Sequence, residues 1–275
     1  VPVGDDAALA EAIIEVVEAF DRPKRIVSLG PAITEGIYLL GQGDSIVGVT
    51  NYCIRPPDAQ KKERVGGVTN ISVEKISRLK PDIIIATPLT DIRALEKLKR
   101  LGFYVVHFTL ARDFNDVNAD FLKLGGLIGR QKEADEIVRN ARRRLDELRS
   151  KIVFKNKPRV FVQIGARPLF TITDDSFVND MITLSGGINI AQGAGSGVYS
   201  REKVVEQNPD VILIMNMGIA TEEERTAWLR YKTMNAVRHG RIYAIDSYRL
   251  GSPTPITFVE TVEELINLLH KDKIN

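Results

Sequence analysis

One short stretch of this chain occurs twice. Ser72-Val73-Glu74-Lys75-Ile76, with Pro81-Asp82-Ile83-Ile84-Ile85 behind it, returns 128 positions later as Ser200-Arg201-Glu202-Lys203-Val204 with Pro209-Asp210-Val211-Ile212-Leu213. In each copy a serine is placed to cap a helix, a glutamate stands in that helix's first turn, and Pro-Asp stops the chain ahead of a buried strand. A unit repeated at that distance implies two equivalent lobes. The length of 275 residues agrees, because it exceeds what one hydrophobic core usually organises and divides into lobes of ~120 residues.

Apolar spacing alternates between strand and helix along each lobe. Leu9, Ile13, Val16, Val17 and Phe20 recur at the helical period over residues 5–20. Arg25 to Leu29 reads as a strand, Gly30-Pro31 breaks it, and Ala32 to Leu40 resumes helical spacing. Strands at Ile46 to Val49, Ile83 to Ala86 and Tyr104 to Phe108 then alternate with helices at Val73 to Leu79 and Ile92 to Leu101. From Val117 to Ile152 the strand signal vanishes, and a helical pattern interrupted near Gly125-Gly126 and Gly129 takes over. Its unbroken part, Gln131 to Ile152, would measure roughly 33 Å at about 1.5 Å per residue. Arg159 to Ile164 restarts the alternation, which lasts to Leu269. The expected fold is α/β: two Rossmann-like lobes with parallel sheets joined by one long α-helix. The N-terminal lobe should occupy residues 1–116, the helical connection 117–155 and the C-terminal lobe 156–275.

Composition removes several function classes. Lys plus Arg number 38 against 36 Asp plus Glu, a net charge of +2 that lacks the basic excess of a nucleic-acid binder. The densest basic run, Arg139 to Arg149, is interleaved with acids and Leu at helical spacing and reads as a solvated face. Three scattered histidines, His107, His239 and His270, and the lone Cys53 give no metal-ligand spacing, and Cys53 reads as a buried, inert thiol. No apolar run approaches the ~20 residues of a membrane-spanning helix. The glycine-rich Gly193-Ala194-Gly195-Ser196-Gly197 keeps a dinucleotide-dependent enzyme as the rival class, although it does not follow a strand in the G-x-G-x-x-G arrangement. A G-x-S-x-G nucleophile elbow is absent.

Alone, Glu74 or Glu202 need only complement its own helix dipole. As a pair in equivalent lobes they suit docking onto a two-fold symmetric partner. The chain also resembles the periplasmic substrate-binding proteins of ABC importers for iron-siderophore complexes and cobalamin, the type with a rigid inter-lobe helix. The resemblance covers roughly Pro23 to Leu269. It rests on Lys24-Arg25-Ile26-Val27-Ser28-Leu29 with Pro31-Ala32 and Thr34-Glu35, on Val47-Gly48-Val49 leading to Tyr52-Cys53 and Pro56-Pro57, and on both Ser-x-Glu helices. Asp174-Asp175-Ser176-Phe177-Val178-Asn179-Asp180 and Gly186-Gly187-Ile188-Asn189-Ile190-Ala191 also match. The helix over 5–20 departs from the pattern, since family members usually begin with a short β segment.

The resemblance implies a non-catalytic, monomeric carrier without a cofactor, periplasmic or tethered outside the membrane as a lipoprotein. Glu74 and Glu202 would dock it onto arginines of a dimeric ABC permease. Ligand would lie in a cleft between the lobes lined by strand-end loops, where open α/β sheets generally bind. The resemblance maps Pro31, Tyr52, Thr87, Arg167, Phe170, Tyr199, Asp246 and Tyr248 to that cleft, with ordinary half-buried packing as the competing role for Tyr199 and Tyr248. Arg167, helped by Arg249 or Arg93, suits an anionic ferric chelate because guanidinium grips carboxylate or catecholate oxygens in a fork, with a solvent-facing loop position as the competing role of all three. Cobalamin is the alternative: Tyr52 and Asp246 fit its carriers, but Val68, Thr87 and Ser196 replace their tryptophans, and the only Trp, Trp228, lies in a polar helical stretch. Haem is disfavoured because Gly66-Gly67-Val68 supplies no tyrosinate before the first Ser-x-Glu helix.

Overall fold

A computed structural model describes residues 22–150, 157–216 and 221–270. The helix read over 5–20 and the last two residues of the long helix lie outside them. The chain divides into two compact units. One runs up to Leu110 and takes in Asp120–Glu136; the other comprises Ala111–Ala119 and the chain from Ile137.

In the N-terminal unit the elements follow one another as β1 (Ile26–Ser28), α1 (Pro31–Leu39), β2 (Ile46–Val49), β3 (Glu63–Arg64), α2 (Val73–Leu79), β4 (Ile83–Ala86), α3 (Ile92–Arg100) and β5 (Val105–His107). The sheet order is β3-β2-β1-β4-β5, parallel throughout. Every residue of Ile83–Ala86 is buried, as a strand covered on both faces requires. Val27, Leu29, Ile76, Ile84, Leu95 and Leu98 form one core, each such side chain contributing about 1.5–3 kcal/mol by leaving water. The edge strand β3 is two charged residues long, so hydrophobic periodicity could not announce it.

Two helices follow, α4 (Phe114–Leu127) and α5 (Gln131–Ser150), and the boundary between the units falls inside each. The expected break at Gly125-Gly126 is not there. The helix runs through both glycines, and the chain turns at Gly129, whose φ of 65° is left-handed. Gly125 is small for a packing reason: a Cβ there would stand 2.5 Å from the Ala134 Cβ.

The C-terminal unit contains β6 (Arg159–Ala166), β7 (Leu169–Thr171), α6 (Phe177–Leu184), β8 (Ile188–Asn189), β9 (Val198–Tyr199), α7 (Arg201–Gln207), β10 (Val211–Met215), α8 (Thr221–Trp228), α9 (Asn235–Arg238), β11 (Ile242–Ile245), α10 (Ser247–Gly251) and α11 (Pro255–Leu269). Its sheet runs β11-β10-β6-β7-β9, with β8 beside the start of β6. This sheet is mixed, a correction to the all-parallel expectation: β7 is antiparallel to both β6 and β9. Only Arg167 and Pro168 join β6 to β7, and a parallel partner would need a crossover of a dozen residues. The strand period of two splits the core, with Val160, Val162, Val211 and Leu213 facing Phe258, Val262 and Leu265. Phe161, Ile212 and Ile214 face the opposite way, onto Val204, Trp228 and Met234.

Candidate functional site: two anchored carboxylates and two sheet edges

The repeat survives as geometry. Ser72 Oγ accepts from the Lys75 N–H at 3.3 Å, and Ser200 Oγ from the Lys203 N–H at 3.2 Å, so each Ser-x-Glu helix is capped in the same way. Both helices end in a left-handed residue, Lys80 (φ 44°) and Asn208 (φ 47°). Glu74 and Glu202 are exposed in the first turns, where a carboxylate complements the helix dipole. The Glu202 carboxyl is held below the usual glutamate range by its own backbone N–H and then by the Ser200 hydroxyl.

A second layer of the repeat escaped the sequence reading. Arg25 Nε and Nη2 donate to the Leu79 carbonyl at 3.0 and 2.7 Å, and Arg159 Nε donates to Gln207 O at 3.2 Å. In return Asp82 Oδ2 accepts from the Arg25 N–H and Asp210 Oδ2 from the Arg159 N–H, both at 2.9 Å. Each Ser-x-Glu helix is thereby bolted to the entry of a central strand, at Arg25 just ahead of β1 and at Arg159, the first residue of β6. Such charge-assisted bonds contribute about 1.5–3 kcal/mol each when shielded, less where exposed. The only sequence signal would have been an arginine ahead of each strand paired with the Asp of Pro-Asp.

In the N-terminal unit, β1 leads by one crossover to β2 and the chain later adds β4 on its other side, so the carboxyl ends of β1 and β4 flank a switch point. Pro31 opens α1 there, and Gly30 and Thr87 are so close that a Cβ on Gly30 would overlap the Thr87 methyl. Thr87 is fixed by a hydroxyl contact to Thr90 (3.3 Å) and by its carbonyl to His107 Nε2 (2.9 Å). Tyr52 follows β2 and is 58% exposed. Its turn is tied down by Arg64, which donates to Thr50 O (2.7 Å) and Cys53 O (3.0 Å), while Cys53 itself is fully buried. The structure thus brings Pro31 and Thr87 together and sets Tyr52 on the neighbouring strand end.

In the C-terminal unit, Arg167 and Phe170 share the β6–β7 hairpin. Arg167 is exposed, and its guanidinium makes no hydrogen bond or ion pair among the described residues; Phe170 is 38% exposed. Asp246 and Tyr248 share the turn into α10, where an Asp246 oxygen accepts the Tyr248 N–H at 2.7 Å. Tyr199 belongs elsewhere. It is 7% exposed, its ring lies against Phe161 and under Lys203 Nζ (4.4 Å), and its hydroxyl donates to Gln207 at 3.0 Å, so it braces α7 and does not face a ligand. Arg249 is committed to Glu264 at 3.0 Å, leaving Arg93, exposed at the start of α3, as the other cation of that set whose guanidinium has no partner among the described residues.

Two further features fill out the unit. Trp228, read from sequence as lying in a polar stretch, is fully buried, and its Nε1–H donates to Gln163 at 2.7 Å. Both oxygens of Asp174 accept the Gly193 N–H, at 2.9 and 2.8 Å, so the glycine run is tied to a carboxylate where a dinucleotide loop would offer free N–H groups to phosphate. The same stretch contributes Asp180, whose carboxyl is pushed up by burial, although the Phe114 N–H bonded to it at 2.9 Å acts the other way. Among the described residues there is no cluster of metal-ligating side chains and no helix long and apolar enough to cross a membrane.

Comparison with known proteins agrees with this fold. The profile of a family described as periplasmic binding protein matches residues 26–249. An uncharacterized ABC transporter substrate-binding lipoprotein of Bacillus subtilis is 32% identical over 98% of this chain and 85% of its own length. The vitamin B12-binding protein of Vibrio cholerae is 32% identical, covering 90% of this chain and 89% of its own. The crystal structure of the periplasmic vitamin B12 binding protein of Vibrio cholerae superposes with a TM-score of 0.80 at 29% identity, over 92% of this chain and 99% of that one. The chain belongs to the periplasmic binding protein family, the solute-binding class of ABC importers.

Proposed function

We propose that this protein captures a bulky, anionic ferric chelate of siderophore type at the carboxyl edges of its two sheets and hands it to a dimeric ABC permease through Glu74 and Glu202. The observation that carries the ligand reading is Arg167, an exposed guanidinium without a partner among the described residues, at the tip of a hairpin that also presents the Phe170 ring. A guanidinium fork matches carboxylate or catecholate oxygens, and exposed Tyr52 and Phe170 offer faces to chelator rings. Pro31 and Thr87, with Asp246 and Tyr248, complete the ligand-side set. The carrier is non-catalytic and monomeric and works outside the cytoplasmic membrane. Delivery through the carboxylates is supported by the duplicated caps and bolts, which anchor the helix under each carboxylate in the same manner.

Cobalamin is the second reading, favoured by 32% identity to the Vibrio cholerae vitamin B12-binding protein. Against it, the sole tryptophan is spent in the core of the C-terminal unit. Calorimetric titration with ferric catecholates, ferric hydroxamates, their metal-free forms and cobalamin decides between them. Saturable binding of a ferric chelate, weakened when iron is removed, is expected; selective binding of cobalamin overturns the ferric reading. In vesicles carrying the cognate permease, Glu74→Ala with Glu202→Ala should leave that affinity intact and abolish uptake, and undiminished uptake removes the docking role.

A further inference from the structure

Beneath the docking helix of the C-terminal unit lies a buried polar chain that nothing in the ligand or docking readings uses. Gln163 is fully buried in β6 between apolar neighbours, a position costly for an amide unless its bonds are satisfied. They are: Oε1 accepts from Trp228 Nε1–H at 2.7 Å, and Nε2 donates to Glu224 Oε2 at 2.6 Å and, less closely, to Gly165 O at 3.3 Å. Glu224 is 8% exposed, and a carboxylate so placed needs a counter-charge. Arg201 supplies it, bonding Glu224 Oε2 through Nη2 while its guanidinium stacks on Trp228 with 4.5 Å to the ring centre. Arg201 is the first residue of α7 and the immediate neighbour of Glu202.

At its other end the chain meets the ligand side. Gly165 lies at the irregularity where β6 shifts register against β7, at the root of the hairpin that carries Arg167 and Phe170. In the N-terminal unit the position equivalent to Arg201 is Val73, a hydrophobic residue packed against the sheet core, so the polar chain belongs to one half of the repeat only. We propose that Glu224, held between Gln163 and Arg201, is a positioning residue that ties the ligand-side hairpin to the docking carboxylate Glu202. The inference rests on the docking role given above to Glu202. It makes the C-terminal carboxylate sensitive to the state of the hairpin, whereas the Glu74 helix has its cap and bolt but no such polar chain behind its first residue, Val73.

The test needs no ligand. Lys203 and Val204 N–H groups bond Ser200 Oγ and Ser200 O, both at 3.2 Å, so their exchange with deuterium reports the first turn of α7. Exchange there is measured in the full chain and in Phe170→Ala, Glu224→Gln and the double variant, alongside the lone indole N–H resonance of Trp228. Phe170→Ala, a surface change, should speed exchange at Lys203 and Val204 at least about threefold and shift the indole resonance, and Glu224→Gln should speed it about tenfold. In the double variant the Phe170→Ala increment should disappear. An unaltered first turn in Phe170→Ala, or an increment that persists beside Glu224→Gln, overturns the coupling. Docking onto the permease in nanodiscs supplies the second measurement. Glu224→Gln should dock about tenfold more weakly and Glu224→Asp recover most of the loss, since the charge and not the bulk holds Arg201. If Glu202→Ala docks like the parent, the docking reading has failed; if Glu202→Ala fails to dock while Glu224→Gln docks and exchanges like the parent, the positioning role is what has failed.

Discussion

Gly125 and Gly126 are adjacent and lie in the last turn of the same helix, yet alanine at the two should act with opposite sign. On propensity alone each replacement favours the helix by up to about 1 kcal/mol, somewhat less so near an end. At Gly126, which is exposed, the new methyl meets only Gln131 Oε1 at 3.2 Å, the far end of a flexible side chain that can swing away. Gly126→Ala should therefore gain roughly 0.5 kcal/mol. At Gly125, which is buried, the methyl stands 2.5 Å from the Ala134 Cβ and 3.0 Å from the Arg130 carbonyl oxygen. Neither atom can rotate away, because both are fixed by backbone. Restoring ordinary contact requires α4 and the start of α5 to separate by about 1 Å, the kind of overpacking that costs about 1–3 kcal/mol. The overlap outweighs the propensity, and Gly125→Ala should lose about 1–2 kcal/mol net. Trp228 reports the other unit, so the assay is deuterium exchange over residues 120–136, where the Arg130 N–H bonds Gly125 O at 2.7 Å. Equal protection in the two variants, or greater protection in Gly125→Ala, would refute the steric account of this turn.

Three other outcomes are expected. Asp180 has its folded pKa raised by burial, so its native form holds a proton more tightly than the unfolded chain, and wild-type stability falls as pH rises from the ordinary aspartate range through the raised one. Asp180→Asn escapes that loss, and its urea midpoint relative to wild type should climb as pH rises out of the ordinary aspartate range; a constant difference counts against it. Arg167→Ala should weaken binding of a ferric catecholate roughly 10- to 100-fold, whereas Arg249→Ala, which breaks an exposed pair with Glu264, should leave affinity unchanged; equal losses in calorimetry would mean that Arg167 has no special place. Ser200→Ala removes a cap, costing about 1 kcal/mol, and should raise the Glu202 midpoint toward the ordinary glutamate range in a side-chain NMR titration; an unmoved midpoint would show that the hydroxyl does not hold that carboxylate.

The repeat was readable because it is written in local chemistry. A capping Ser, a first-turn Glu and a Pro-Asp stop all act within ten residues, and α2 and β4 begin and end where their periodicity predicts. Strand-end residues such as Pro31 and Thr87 were legible for a related reason: topology alone puts them at one edge of a parallel sheet. What could not be read depends on partners remote in sequence. The polar look of residues 221–228 concealed a buried Trp228 because Gln163 and Arg201 satisfy it and Glu224 from two other elements. Tyr199 reads as a ligand-facing aromatic until Gln207 and Lys203, a turn or two onward, are seen to claim its hydroxyl and its ring. The antiparallel β7 was missed because Leu169–Thr171 is too short to show a period, so the stretch read as a loop at a strand end.

The arginine bolts at Leu79 and Gln207 bear on how an importer could unload its carrier. A short helix joined to a sheet only by turns would yield at those turns when its tip is pulled. Here the far end of each helix is fastened to the start of the strand whose opposite end carries Gly30 or the Arg167 hairpin. Helix and strand are thereby joined at the end away from the glutamate. If Glu74 and Glu202 dock the carrier as proposed, traction on either glutamate would pass through its bolt to the strand and on to the loops proposed to hold the cargo, without first melting the connection.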